Sequence, residues 1–203
     1  MHQAPKISSR VCGICPIAHT LAGVGAMEAS IGCEIPQDAY LLRTILQCAN
    51  RLHSIALHDI LVLPDMYIPG TDTKINPFTS EEPVRTVAKR IQKLREVGQT
   101  VGEIAGGEAI HPSNPRVGGM FYNISPQAKQ KIYDLAKEAL PLAIAQMEFM
   151  NAVFKNWENR STVTVGKTEV EIPEKFGYHD QGYMAVDPVF DSSSLDFEPK
   201  WDP

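Results

Sequence analysis

The sequence predicts a mainly α fold, a bundle of four long helices with a short β-hairpin near the C-terminus. Three observations support this prediction. Apolar residues recur at three- and four-residue spacing over most of the first 160 residues, prolines and glycines stand where such stretches begin or end, and strict polar/apolar alternation is confined to a segment after Arg160. With 203 residues, 43% of them hydrophobic, the chain can form a substantial core.

The first two helices are predicted from their apolar spacing and their ends. The first runs from Ile17 to Gly32, and its alanines and glycines allow a neighbouring helix to approach closely, so we expect it to be buried. The second begins near Pro36 and ends at about Leu63, because Pro64 cannot continue a helix. Its expected inward face comprises Leu41, Ile45, Ala49, Leu52, Ala56 and Ile60.

A third helix follows a loop that is rich in proline and glycine. Thr79 and Glu82 have capping-box spacing, Pro83 suits a first turn, and the helix is expected to reach about Ala105. Its basic residues Lys89, Arg90, Lys93 and Arg95 are expected to form a solvated face. Residues 106–123 concentrate glycine and proline, which favours an ordered loop over a strand or a helix.

The last elements are a fourth helix and the hairpin. Ser125 followed by Pro126 predicts a helix that continues to about Trp157, with a kink near Pro141. Thr162–Val165 and Thr168–Ile172 alternate polar and apolar residues and predict two paired strands. We therefore expect a helical bundle over residues 1–160, which carries the N-terminal Cys-x-x-Cys motif, and a hairpin with an irregular tail over residues 161–203.

The overall charge and the apolar runs exclude several classes of protein. Lys and Arg total 19 against 24 for Asp and Glu, and the net charge of −5 argues against nucleic-acid binding. No apolar run is long enough for a transmembrane segment, and the N-terminus lacks the features of a secretory signal, so a cytoplasmic location is expected. Cys33 and Cys48 lie in helical apolar context and are expected to pack in the core.

The motif with the most chemical content is Arg-Val-Cys-Gly-Ile-Cys-Pro-Ile-Ala-His, residues 10–19. Two thiols separated by two residues can share one soft metal ion or form a redox disulfide. Cys15, at a predicted helix N-terminus and beside Arg10, is expected to favour its thiolate form. A zinc half-site or a structural turn would use the same spacing. A thioredoxin-like redox site would need a strand before the motif, and none is predicted.

This run resembles the N-terminal signature of the nickel-iron hydrogenase large subunit. Further blocks extend the resemblance over nearly the whole chain and are most similar to the deazaflavin-coenzyme-reducing branch of methanogenic archaea. These blocks are His53-Ser54, Ala56-Leu57-His58, Pro64-Asp65, the run from Gly107 to Met120, Pro173-Glu174 and the run from Gly177 to Gln181. The resemblance implies a long-helix bundle of the hydrogenase large-subunit type.

The resemblance also implies roles for individual residues. In this family four cysteine thiolates in two Cys-x-x-Cys pairs hold nickel, and one of each pair bridges to an iron with carbon monoxide and cyanide ligands. By this resemblance Cys12 would be a terminal nickel ligand and Cys15 a bridging one. His19 would donate a hydrogen bond to the bridging sulfur, and Arg10 would stabilise the thiolates. His58 and His111 would pack near the iron-sulfur cluster of a partner.

The expected partner is an iron-sulfur small subunit that receives electrons from heterolytic hydrogen cleavage. A flavoprotein or a heterodisulfide-reductase-type subunit would be a further partner. The 203 residues contain one Cys-x-x-Cys pair, so catalysis would need a second pair from another polypeptide. The alternative is a catalytically inactive, hydrogenase-derived scaffold without the nickel-iron site, and so without this cofactor. A third hypothesis is that Cys12 and Cys15 bind zinc or part of a cluster shared with a partner.

Overall fold

Five α-helices make up most of the computed structural model, which describes residues 3–79 and 81–156 and only the backbone of 157–158, 162–165 and 168–171. The helices are α1 Ala4–Ser9, α2 Pro16–Ile31, α3 Gln37–Val62, α4 Val84–Gly106 and α5 Pro126–Glu158, and a 3₁₀ turn, Leu63–Asp65, follows α3. Two antiparallel pairs complete the described elements: β1 Pro115–Arg116 with β2 Gly119–Met120, and β3 Thr162–Val165 with β4 Thr168–Glu171. The chain divides into two compact units, residues 1–158 and residues 159–203.

The mainly helical fold with four long helices is confirmed, and the helix ends have local causes. The Ser125 hydroxyl accepts a hydrogen bond from the N–H of Ala128 at 3.1 Å and so caps the start of α5. The helix α2 ends at Gly32, which has a φ of 62°. This left-handed conformation favours glycine and directs the chain away from the helix axis.

The main core lies between α3, α4 and α5. Each of these helices buries one apolar face, as the three- and four-residue spacing requires. The buried side chains include Ala49 and Ala56 of α3, Val87, Ile91, Leu94 and Val97 of α4, and Ile132, Ala139, Met150 and Val153 of α5. A smaller cluster formed by Ile17, Leu42, Leu46 and Ala105 joins the start of α2 to α3 and α4.

The N-terminal helix α1 was not predicted from the sequence. It is only six residues long and too short to show an apolar period. It packs on α2 at Gly23, where an added Cβ would lie 2.9 Å from the Ser8 hydroxyl oxygen and 3.0 Å from the Cα of Pro5. The small residues of α2 therefore accommodate α1, but the expectation of a buried helix was wrong, since Ala22 and Ala26 are exposed.

Three other local predictions also differ from the structure. Leu41, expected on the inward face of α3, is 50% exposed, because Leu42 takes the buried position. The helix α4 begins at Val84, after Pro83, and the capping-box pair does not form: the Thr79 hydroxyl accepts from the N–H of Glu81. The expected strand-free loop at residues 106–123 contains the two-residue strands β1 and β2.

The basic face of α4 is only partly solvated. Arg90 is half-buried, and its Nε donates to Oε1 of Gln146 at 3.0 Å. The same glutamine donates from Nε2 to Oδ2 of Asp59 at 2.8 Å. This polar chain joins α4, α5 and α3 across the core. Cys48, expected in the core, is exposed, and Cys33 is half-buried.

The predicted hairpin is confirmed, with Thr162 opposite Glu171 and Val165 opposite Thr168. The predicted irregular tail lies outside the described residues, as do the sequence blocks at 173–174 and 177–181. Among the described helices, none is both long and apolar enough to cross a membrane.

Candidate metal centre

The Cys-x-x-Cys segment forms a turn between α1 and α2. Arg10 caps the C-terminus of α1 and Pro16 begins α2, so Cys15 is the N-cap residue of the longer helix. Proline suits the first helical position because its fixed φ is helical and its missing N–H would have no partner there. The Ser8 hydroxyl lies 3.3 Å from the carbonyl oxygen of His19 and ties the two helices together. The thiols are therefore held at a helix N-terminus.

The two thiols are in direct contact. The Sγ atoms of Cys12 and Cys15 are 2.8 Å apart, and both cysteines are free and half-buried. The Sγ of Cys12 also accepts hydrogen bonds from the backbone N–H of Ile14 at 3.3 Å and of Cys15 at 3.1 Å. Hydrogen bonds that converge on one sulfur stabilise its thiolate. These contacts favour the thiolate form at Cys12 over that at Cys15.

The same contacts separate the pKa values of the two thiols. The hydrogen bond from the Cys15 thiol, followed by those from the two backbone N–H groups, lowers the pKa of Cys12 below its usual value of 9.0. The thiol–thiol hydrogen bond, burial and the charge on Cys12 raise the pKa of Cys15. The prediction that Cys15 would be the favoured thiolate was wrong, because the backbone N–H groups of the turn point at Cys12.

His19 completes a set of three metal donors. One ring nitrogen of His19 and the two sulfurs all lie within 4.8 Å of one another, and all three residues are half-buried. The Cys-x-x-Cys turn and the first turn of α2 thus bring together three of the four residues that the sequence analysis selected. The fourth, Arg10, is exposed, and among the described contacts no hydrogen bond or ion pair links its guanidinium group to either thiol.

This donor set fits a soft metal ion. Thiolates and imidazole suit nickel, zinc and iron, and the two sulfurs are close enough to bind the same ion. The N-terminus of α2 adds a positive potential that favours the anionic sulfurs. Cys33 and Cys48 are not part of this set of donors. The chain therefore presents two sulfurs and one imidazole.

A cavity of about 120 Å³ lies directly beside the Cys-x-x-Cys turn. Gly13 and Ile14 of the turn form part of its wall, and Asn50 and His53 of α3 form another part. Burial lowers the pKa of His53, a shift that favours the neutral imidazole. The turn and the polar groups of α3 therefore line the same cavity.

Sequence analysis missed Asn50 and assigned no role to His53. The signal was present, because both lie next to the buried positions Leu46 and Ala49 in the helical period. The two histidines that were singled out lie elsewhere: His58 is exposed and does not line this cavity. His111 is half-buried, and its Nδ1 is buried without a hydrogen-bond partner among the described residues.

The chain is similar in sequence to a hydrogenase family model and to hydrogenase subunits. A family model described as nickel-dependent hydrogenase matches residues 1–60. The chain is 64% identical to the coenzyme F420 hydrogenase subunit alpha of Methanosarcina barkeri over 202 residues. The aligned region covers 100% of this chain and 44% of that relative. The protein of the same name from Methanocaldococcus jannaschii is 44% identical over 131 residues, 64% of this chain and 29% of the relative.

The chain belongs to the nickel-dependent hydrogenase family. It corresponds to the N-terminal half of the large subunit, and it spans less than half the length of the curated relatives it matches. This assignment confirms the resemblance drawn from the sequence motifs.

Solved structures support the same fold. An NAD⁺-reducing [NiFe]-hydrogenase in the H₂-reduced state superposes with a TM-score of 0.64 at 26% identity, over 76% of this chain and 35% of that chain. The Ni-Fe-Se hydrogenase of D. vulgaris Hildenborough gives a TM-score of 0.60 at 18% identity, over 84% of this chain and 44% of that chain, and supports the fold alone. The helical bundle is thus that of a hydrogenase large subunit.

Proposed function

We propose that this chain supplies the first pair of metal-binding thiolates of a nickel-iron hydrogenase. The observation that carries the proposal is the contact between Cys12 and Cys15 at 2.8 Å, with His19 within 4.8 Å of both sulfurs. Thiolates are the donors that such a centre requires. The second pair comes from residues outside these 203, either in the same polypeptide or in another one.

Each residue has a distinct proposed role. Cys12 binds nickel as the terminal ligand, and its thiolate is favoured before the metal arrives by the two backbone N–H groups. Cys15 would hold the same centre as the bridging ligand, which requires its thiolate form and therefore loss of its proton. His19 donates a hydrogen bond to the bridging sulfur and fixes its orientation. Arg10 lies at the end of α1 and contributes a positive charge near the anionic site.

When bound, the nickel-iron centre, whose iron carries carbon monoxide and cyanide, supplies heterolytic cleavage of hydrogen. Iron-sulfur clusters of a small subunit would accept the electrons from that centre. A flavoprotein or a heterodisulfide-reductase-type subunit then passes them on, and the relatives named for coenzyme F420 favour the first of these. Residues 1–160 act as the metal-bearing bundle, and residues 161–203 as a hairpin with a tail, in the cytoplasm.

Metal analysis of the purified hydrogenase complex tests this proposal. Nickel and iron near one each per chain, with hydrogen-dependent dye reduction, are the expected results. Cys12→Ser and Cys15→Ser should each remove nickel and activity together. Cys48→Ser is the matched control, because Cys48 is exposed and outside the donor set, and it should leave both unchanged.

The same experiment separates the alternatives. A nickel-free complex that assembles normally and tolerates both Cys→Ser changes would indicate a scaffold derived from a hydrogenase. Zinc in place of nickel, lost on substitution of Cys12 or Cys15, would indicate a zinc site or a shared cluster. Either result contradicts the proposed nickel-iron function.

A further inference from the structure

A groove of about 430 Å³ lies between the outer face of α4, α3 and the loop before α4. This volume is within the range of about 300–1,000 Å³ that is typical of ligand sites. Its floor is apolar and includes Ala56 and Ile60 of α3 and Ile91 of α4. No residue of the Cys-x-x-Cys turn lines the groove, although Arg95 lines both the groove and the cavity beside that turn. The groove plays no part in the proposed function.

Three cations surround this apolar floor. Arg85, Lys89 and Arg95 all line the groove, and none of them takes part in an ion pair among the described residues. The neighbouring carboxylate, Glu82, precedes α4 and accepts a hydrogen bond from the N–H of Thr86 at 3.2 Å. This hydrogen bond and, less strongly, the charges of Arg85 and Lys89 lower the pKa of Glu82, so one carboxylate offsets part of the charge of the three cations. A chain with a net charge of −5 therefore concentrates positive charge here.

Phe78 stands at the edge of the groove and is 88% exposed. Two hydrogen bonds to Asn76 hold the backbone of its loop. Asn76 accepts a hydrogen bond through Oδ1 from the N–H of Phe78 at 3.1 Å and through its carbonyl from the N–H of Thr79 at 3.0 Å. Ile75 and Pro77 anchor the loop in the interior. The large aromatic side chain is thus presented to solvent by an ordered backbone.

We propose that this groove binds an acidic amphipathic segment of a partner polypeptide. Carboxylates of the segment pair with the three cations, and one large apolar side chain contacts the floor and Phe78. Complementary charge of this kind increases association rate and specificity, and aromatic side chains are common anchors of protein interfaces. An apolar floor suits a side chain better than a phosphate, which favours a peptide over a nucleic acid.

Fluorescence anisotropy with labelled peptides tests the proposal on the full 203-residue chain. The probe is a helical peptide of glutamates with one leucine and one tryptophan on a single face. Two further peptides replace either the glutamates by lysines or the two apolar residues by serines. We expect the acidic amphipathic peptide to bind most tightly and to weaken between 50 and 300 mM salt, because exposed charge pairs are screened.

Variants of the chain locate the binding. Arg85→Glu combined with Lys89→Glu should weaken binding of the acidic peptide by about tenfold or more, and Phe78→Ala by roughly threefold. Lys129→Glu combined with Lys137→Glu is the matched control, since both lysines are exposed on α5 and neither lines the groove. It should change the affinity by less than about twofold. Circular dichroism checks the fold, and the neutral pair Arg85→Gln with Lys89→Gln replaces the Glu variant if that one unfolds.

Several results would overturn the proposal. Equal binding of the acidic and basic peptides would exclude charge recognition, and equal binding of the serine peptide would exclude the apolar anchor. Unchanged affinity in the groove variants would place the binding elsewhere. A single-stranded oligonucleotide that binds more tightly than the peptide, and loses affinity in the same variants, would assign the groove to nucleic acid. None of these results bears on nickel or dye reduction.

Discussion

Cys12 and Cys15 behave as one acid rather than as two independent thiols. Because their sulfurs lie 2.8 Å apart, the two thiols lose their two protons in two steps that belong to the pair. The turn N–H groups decide which sulfur holds the charge, since both donate to Cys12. The turn therefore favours a thiolate at Cys12 without any bound metal.

Alkylation of the metal-free protein tests this charge distribution. Because the thiolate is the nucleophile, Cys12 should react with iodoacetamide at a lower pH than the same cysteine in the denatured chain, and Cys15 at a higher pH. Mass spectrometry of peptides as a function of pH measures both. Cys15→Ala removes the thiol donor and should move the reaction of Cys12 back toward higher pH. An unchanged pH profile of Cys12 in this variant would disprove the shared proton.

How the helices pack on one another depends on how closely their backbones approach, most clearly where α4 crosses α3. A Cβ added to Gly98 would lie 2.7 Å from the carbonyl oxygen of Ala49 and 2.7 Å from the backbone nitrogen of His53. Backbone atoms of a helix cannot move aside independently, because they are fixed by its hydrogen bonds. The absence of a side chain at Gly98 therefore sets how closely the two long helices pack.

Gly98→Ala should lower the free energy of unfolding by about 1–3 kcal/mol, although alanine favours a helix by about 1 kcal/mol. The matched control is Gly25→Ala in α2, where an added Cβ meets nothing within 4 Å. That change should raise stability by about 0.5–1 kcal/mol. Chemical denaturation followed by circular dichroism measures both. Equal effects of the two substitutions would contradict the role of Gly98 in packing.

A second connection, between α2, α3 and the β1–β2 pair, depends on a buried ion pair. Arg43 donates from Nη1 and Nη2 to the two carboxylate oxygens of Glu28 at 2.8 and 2.7 Å. Its Nη2 also donates to the carbonyl oxygens of Arg116 and Gly119, both at 2.8 Å. The N–H of Gly118 donates to Glu28 at 2.8 Å. The short strands are thus held to the helices by polar contacts.

Arg43→Ala should destabilise the protein by about 3 kcal/mol or more, because it leaves the Glu28 carboxylate buried and unpaired. Burial raises the pKa of Glu28. Hydrogen bonds from Arg43 and Gly118 and the positive charge of Arg43 together outweigh burial, so the net pKa lies below its usual 4.5. The contribution of Glu28 is therefore present at neutral pH and lost as pH falls through this lowered pKa. Denaturation curves measured between pH 3 and 7 check the sign. A variant Glu28→Gln that retains the full acid dependence would refute it.

At the scale of the whole molecule, the first compact unit leaves many large apolar side chains exposed. On α5, Tyr133, Leu140 and Met147 are 62%, 62% and 59% exposed and follow one another at seven-residue spacing. Val11 and Ile14, beside the thiols, are 72% and 53% exposed. Several exposed large apolar side chains on one face of a helix are typical of a contact region in a larger assembly.

Expressed by itself, the 203-residue chain should bind a hydrophobic dye such as ANS and self-associate in light scattering. Leu140→Gln combined with Met147→Gln should reduce both effects, since these side chains are exposed and their loss opens no core cavity. Lys129→Gln serves as the control, because it changes an exposed polar side chain of the same helix. A monomeric chain that binds no dye would show that the exposed residues do not form a contact surface.

Much of this fold followed from the order of residues. Pro36, Pro64 and Pro126 fixed helix ends, because proline lacks an N–H and has a helical φ. The alternating residues on either side of 166–167 predicted the hairpin. The predictions that failed depended on helix length or on a neighbouring residue. The helix α1 is too short to show an apolar period, and Leu42 instead of the adjacent Leu41 occupies the buried position on α3.

By itself, the sequence determined the family, the helical bundle and the spacing that makes Cys12 and Cys15 neighbours, because spacing and end signals act within one segment of the chain. Only the tertiary structure decided which sulfur accepts the hydrogen bonds of the turn, that His53 rather than His58 lies at the cavity beside the turn, and that three cations line one groove. The physical reason is that hydrogen bonding, desolvation and charge pairing depend on atoms brought together from distant positions. These distances exist only once the helices have packed.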